Sequence, residues 1–221
     1  MPKLLNSKIV NDLKKIFSEE LQKKVKILLF RVDDESICEY CDLTQNLLKE
    51  LIDVDERIEL EVYDFGKDEE MVQKYDVQRV PALIILDENG KDYGVRFYGI
   101  PSGHEFSTLI DDIVTFSKGP VPNLSPETIE QLKKIDHEVR IQVFVTPTCP
   151  YCPRAVLMAH HFALVNDNII GEMIEANEFM ELSTKFGVSA VPHIVVNEDY
   201  SFVGALPEAN YLNEVLKGLK K

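Results

Sequence analysis

Two Cys-x-x-Cys motifs stand at one fixed distance from two Val-Pro pairs. Pro81 follows Cys38 by 43 positions, Pro192 follows Cys149 by the same 43, and the two copies are offset by 111. A repeat of that period in a chain of 221 residues predicts two units of about 110 residues, not one large domain. A unit of that size buries a core without metal or disulfide staples. The boundary falls at Ser117-Lys118-Gly119-Pro120-Val121-Pro122-Asn123, where two prolines and a glycine interrupt helix and sheet alike. The expected division is 1–118, with Cys38-Glu39-Tyr40-Cys41, and 119–221, with Cys149-Pro150-Tyr151-Cys152.

Composition narrows the function classes. The net charge of −14 argues against nucleic acid, whose binding depends on neutralising phosphates, and against an anionic membrane surface. The opening residues are interrupted by charges too often for a signal peptide, and no apolar run has the length of about 18 residues needed to span a bilayer. The expected location is cytoplasmic. All four cysteines lie in the two motifs, so none is left for a stabilising framework. In a cytoplasmic chain that distribution favours redox or metal chemistry.

The local patterns agree between the halves. Ser7 is placed to cap a helix carrying Ile9, Leu13, Ile16, Phe17 and Leu21 on one face, and Ser125 with Pro126 starts the corresponding helix. Apolar runs at 25–32 and 140–145 read as buried strands and lead into the cysteine motifs, each of which starts an amphipathic helix. The strand-to-cysteine loop is about three residues longer in the first half. Ile58, Leu60 and Val62 alternate with charged residues, predicting a further strand. A polar helix then ends near Tyr75 or Phe186. Strands follow at 82–86 and 193–196, Asn89-Gly90 signals a hairpin to a strand near 93–98, and final helices cover 102–116 and 207–219. The first two strands of each half should be parallel and the last two antiparallel. The fold class is therefore α/β, with a mixed central sheet flanked by helices in each half.

Two cysteines with two residues between them lie close together when the first sits at a helix N-terminus, the other lying one turn inward. The outer thiol, exposed at the helix tip, gains from free backbone N–H groups and the positive end of the helix dipole. Such a site draws a thiol from about 8.5 towards 3.5–7.5. Its thiolate attacks a disulfide, and the inner thiol resolves the mixed disulfide. Attack is assigned to Cys38 and Cys149, resolution to Cys41 and Cys152. Glu39 and Asp42 disfavour a thiolate at Cys38, whereas Arg154 favours one at Cys149, so Cys149 is expected to be the more acidic.

On the two cysteine motifs and on Val80-Pro81 and Val191-Pro192, the chain resembles tandem thioredoxin-fold proteins. It is similar in particular to the protein disulfide oxidoreductases of hyperthermophiles, and through them to glutaredoxin and protein disulfide isomerase. The resemblance implies two thioredoxin-like domains, cis bonds at Pro81 and Pro192, and Val80 and Val191 backbones that pair with an extended client. Tyr40 and Tyr151 match between copies and are expected to shape that contact surface. It implies reduction, oxidation and isomerisation of client disulfides without a bound organic cofactor or metal, and recycling by a flavin-dependent thioredoxin reductase-like protein.

The chain departs from the pattern six residues before the first cysteine. Thioredoxins hold a buried aspartate there, and Val32 and Val143 stand here instead. Glu61 and Glu172, at equivalent positions, either replace it or are ordinary exposed strand carboxylates. His193 follows Pro192, where the first half has Ala82, and reads as an active-site neighbour or a satisfied strand histidine. A four-cysteine zinc centre is the metal alternative, but Cys149 follows Cys41 by 108 positions, far beyond zinc-motif spacing. A glutathione-dependent glutaredoxin would carry a Gly-Gly pair after the last strand, where only Gly204 is present. A peroxiredoxin-reducing module, similar to that of alkyl hydroperoxide reductase, would lack the first dithiol.

Overall fold

The structure is a computed structural model and describes residues 3–220. The chain groups into two compact units. Of the described residues, the first comprises those up to 92 with 98–100 and 110–120, and the second comprises those from 121 on with 93–97 and 101–109.

In the first unit, α1 (Ser7–Glu20) is followed by β1 (Val25–Arg31), α2 (Cys41–Ile52), β2 (Ile58–Asp64), α3 (Glu69–Lys74) and β3 (Ala82–Leu86). Asn6, not Ser7, caps α1: its side chain accepts the Ile9 N–H at 3.0 Å. Asn serves as well as Ser at this position because its short carbonyl reaches the free N–H groups of the first turn. Strand β1 is central, parallel to β2 and antiparallel to β3. It is apolar on both faces because both are covered, and Ile27, Leu29 and Phe30 are fully buried. Strand β2 lies at the sheet edge. Of its alternating residues, Ile58 is buried but Val62 is exposed, because an edge strand is only partly covered. The Asn89-Gly90 turn forms as expected: Gly90 has φ 75°, its N–H donates to the Asp87 carbonyl, and the Gly99 N–H reaches the Pro81 carbonyl. This turn leads into β4 (Asp92–Tyr98), and α4 (Glu105–Ser117) follows.

The second unit repeats the plan with α5 (Pro126–Leu132), β5 (Val139–Val145), α6 (Cys152–Val165), β6 (Ile169–Glu175), α7 (Met180–Lys185), β7 (His193–Val196), β8 (Tyr200–Val203) and α8 (Glu208–Gly218). Ser125 caps α5 by accepting the Thr128 N–H, with Pro126 at the first helical position. Strand β5 is parallel to β6 and antiparallel to β7, which pairs antiparallel with β8. Gly171 on β6 lets that strand approach α6 closely, since a Cβ there would stand 2.6 Å from the Ala159 carbonyl oxygen. Val143, Ile194 and Val196 are fully buried; each side chain of this kind contributes roughly 1.5–3 kcal/mol on burial. Each unit thus has the expected α/β architecture, a mixed sheet flanked by helices. Among the described residues, no helix is long and apolar enough to cross a membrane.

Candidate active site

Both dithiols sit where a central strand hands over to a helix. Strand β1 ends at Arg31 and the chain reaches Cys38 before α2 begins at Cys41. Strand β5 ends at Val145 and the shorter loop reaches Cys149 before α6 begins at Cys152. Tyr40 and Tyr151 occupy the N-cap positions without a side-chain cap; the Cys41 N–H then turns to the Cys38 carbonyl, whereas the Cys152 N–H turns to the Cys149 sulfur. Pro153 fits in the first turn of α6 because no intrahelical N–H is needed there.

Each pair is closed as a disulfide, Cys38–Cys41 and Cys149–Cys152, with Cα atoms 5.5 Å apart in both. The Cys152 backbone N–H donates to the Cys149 Sγ at 3.1 Å. The outer cysteines are not exposed as expected: Cys38 is 5% and Cys149 7% accessible. The surface at the second site is instead Tyr151, which is 70% exposed, while Tyr40 is half-buried.

Both Val-Pro bonds are cis. Strand register brings them to the matching sheet end. Phe30 pairs with Ala82 and Phe144 with His193, so Pro81 and Pro192 lie one step beyond, beside the ends of β1 and β5 from which the cysteine loops leave. In the second unit, Thr146, whose carbonyl accepts the Cys149 N–H, lines a cavity of about 590 Å³ together with Ala176, Met180, Val188 and Val191. Val80 and Pro81 are buried, and Val191 is half-buried.

The electrostatics differ from the sequence expectation. Asp42 does not stand alone beside Cys41, because the Arg31 guanidinium pairs with it at 2.8 Å. Its charge is therefore offset, while Glu39, next to Cys38, is exposed. Sequence reasoning missed Arg31, since an arginine closing an apolar strand carries no spacing signal.

Glu172 is not an exposed strand carboxylate. It is fully buried, paired with Arg140 and accepting the Gln142 amide at 2.9 Å. Strand alternation places it opposite the face of Gly171 and Met173, which carries α6, so it does not lie beneath the dithiol helix. Glu61 is half-buried and bonded to Lys26 and Tyr63. The Lys26 bond, with that of Tyr63, holds the Glu61 carboxyl below its ordinary range, and Glu61 in turn pushes the Tyr63 phenol up to about 12. Val143 is fully buried, so the thioredoxin aspartate position is apolar here. His193 is buried, with neither ring nitrogen hydrogen-bonded among the described residues, and its ring stands edge-on to Phe144 at 6.3 Å. It is therefore not the satisfied strand histidine of the sequence reading. Burial pushes its imidazole below the usual value.

The thioredoxin-domain family model matches twice, over residues 23–111 and 139–217. The chain belongs to the thioredoxin-domain family. With a vicinal disulfide in each repeat, this thioredoxin-family chain is a disulfide oxidoreductase of two Cys-x-x-Cys centres. Its structure is similar to a protein disulfide oxidoreductase from Aeropyrum pernix k1, with a TM-score of 0.86, 32% identity, and coverage of 96% of this chain and 92% of that one. It is also similar to the alkyl hydroperoxide reductase protein AhpF of Enterococcus faecalis, with a TM-score of 0.85, 25% identity, and coverage of 95% and 98%. Among curated sequences, the corresponding alkyl hydroperoxide reductase protein of Staphylococcus aureus is 28% identical over 88% of this chain and 34% of its own length. A Bacillus subtilis NADH dehydrogenase is 32% identical over 57% of this chain and 24% of its own length. The thioredoxin-family chain thus spans a quarter to a third of the curated relatives it matches.

Proposed function

We propose that the chain exchanges disulfides with client proteins through both centres, as two thioredoxin-like domains at 1–118 and 119–221. Cys38 and Cys149 attack, and Cys41 and Cys152 resolve. A client disulfide bond breaks as a mixed disulfide forms, and the resolving thiolate then displaces the client's second sulfur. Two electrons and two protons have passed to the client, and the vicinal disulfide is restored. Run backwards, the same steps oxidise a client, and a partial cycle isomerises one. The reading rests on the closed Cys149–Cys152 pair at the N-terminus of α6, with the Cys152 N–H on the Cys149 sulfur. The backbones of Val80 and Val191, with Pro81 and Pro192 beside them, offer an edge to an extended client, and Tyr40 and Tyr151 frame it. The compartment in this reading is the cytoplasm, and the recycling partner is a flavin-dependent thioredoxin reductase-like protein.

The test is insulin reduction and repair of scrambled ribonuclease. Replacing all four cysteines by serine is expected to abolish both activities, and each single-pair variant to retain part. Unchanged activity without the four sulfurs overturns the reading.

The likeness to the alkyl hydroperoxide reductase proteins favours a second reading, in which the chain passes electrons to a peroxiredoxin-type disulfide. Single-turnover transfer from the reduced chain to such a disulfide, at a rate well above that to insulin, would select it.

A further inference from the structure

One buried guanidinium distinguishes the first dithiol from the second. Arg31 and Val145 are the last residues of the matching seven-residue strands β1 and β5. Where the second unit has a fully buried valine, the first has an arginine with only 9% of its surface accessible. Its head group ties together the two segments that flank the dithiol. On the loop towards Cys38 it donates to the Val32 carbonyl at 3.0 Å and to Asp33 at 2.9 Å. On the first turns of α2 it pairs with Asp42 at 2.8 Å and donates to the Gln45 side-chain carbonyl. Asp42 directly follows Cys41. Asp64, which faces Arg31 in the β2 register, is occupied by Lys67. The loop being braced is the longer of the two, and it carries Asp33, Asp34 and Glu35, all exposed to solvent.

We propose that Arg31 is a positioning residue that sets the acidity of Cys38, and so the redox balance of the first centre. The proposal rests on the reading that this centre exchanges disulfides. The physical reason is charge. A cation shared with Asp42 and Asp33 offsets carboxylates on the two segments flanking the dithiol that would otherwise oppose a thiolate at the helix tip. When the Cys38–Cys41 bond breaks, two electrons and two protons enter from a client dithiol, which becomes a disulfide. Whatever favours the thiolate favours this reduced state. Arg31 therefore makes the first centre more oxidising than its acidic loop alone would allow.

The test uses the full chain with Cys149 and Cys152 replaced by serine, so that only the first centre reports. Its Cys38 thiol is titrated by absorbance and its dithiol equilibrated with a glutathione buffer. Arg31→Met is expected to raise the Cys38 pKa by about one unit, making the thiol less acidic. It should also shift the equilibrium about tenfold towards the disulfide, which corresponds to roughly 30 mV for a two-electron couple. Arg31→Lys, which keeps the charge, should restore most of both shifts. If Arg31→Met changes neither, or if it lowers only the melting temperature, Arg31 is a structural brace and the proposal is wrong. Should Arg31→Met not fold, Asp42→Asn on the helix surface reads the same pairing from the other side. The guanidinium, released from Asp42 but still paired with Asp33, should lower the Cys38 pKa by about one unit, and an unchanged pKa overturns the proposal. A first centre that never exchanges with glutathione in the parent chain overturns the functional reading instead.

Discussion

The Cys152 backbone N–H points at the Cys149 sulfur across 3.1 Å, from the first residue of α6. In the reduced chain that N–H and the helix dipole stabilise a thiolate on the outer cysteine. Cys149 is therefore expected to titrate at least about one unit below the usual 8.5 and below Cys38. Thiolate absorbance against pH, in variants that keep one pair at a time, checks this. The first centre has an offset Asp42 but an exposed Glu39, so a Cys38 more acidic than Cys149 would reverse the assignment.

Gly103 holds the second cysteine loop at close quarters. Its φ is 60°, and a Cβ there would stand 2.1 Å from the Pro147 carbonyl oxygen, two residues before Cys149; the neighbouring His104 N–H donates to the same oxygen at 3.0 Å. Gly103→Ala adds both a steric clash and backbone strain, together about 2–6 kcal/mol. Disulfide exchange at Cys149 should slow while exchange at Cys38 stays near its original rate. Equal slowing at the two centres would show that the effect is general destabilisation.

Arg140–Glu172 and Lys26–Glu61 occupy equivalent positions but differ in burial. Glu172 is fully buried, and Arg140 is 12% exposed in its side chain; Lys26 and Glu61 are 34% and 41% exposed. Removing Arg140 strands a carboxylate away from water, so Arg140→Met should cost roughly 3–5 kcal/mol in urea unfolding. Lys26→Met should cost no more than about 1 kcal/mol. Comparable losses would mean that Glu172 finds another partner or water.

His193 makes stability depend on pH. Burial holds its imidazole below the ordinary 6.5, so the unfolded chain takes up this proton first as acidity increases. The contribution is fully present above pH 6.5 and is lost as pH falls through and below it, by at most about 1.4 kcal/mol per pH unit. Urea unfolding at about pH 7.5 and pH 5.5 measures this slope. His193→Ala, the residue of the first half, should be less stable overall because of the cavity, yet less sensitive to acid over this window. An unaltered slope would assign the dependence to the carboxylates.

The fold was legible where chain periodicity and turn chemistry carry it. The apolar runs became β1, β3, β5 and β7 because a strand covered on both faces must be apolar throughout. Ser125-Pro126 and Asn89-Gly90 act through local geometry and formed where expected. Val62 and Glu172 were not legible, because alternation says which residues share a face but not what covers that face. Arg31 was equally silent: its partners Asp33, Asp42 and Gln45 meet only when β1 and α2 converge.

The amino-acid order alone determined two repeats, two vicinal thiol pairs at helix starts and the matched Val-Pro positions, since each is a matter of short spacing and intrinsic backbone preference. Tertiary structure decided the environment of each group. It paired Asp42 with a buried cation, sank Glu172 on the face away from α6, left His193 without a hydrogen-bond partner among the described residues, and buried the outer cysteines. The physical reason is that charge and acidity depend on distance and dielectric, which exist only once strands and helices have packed.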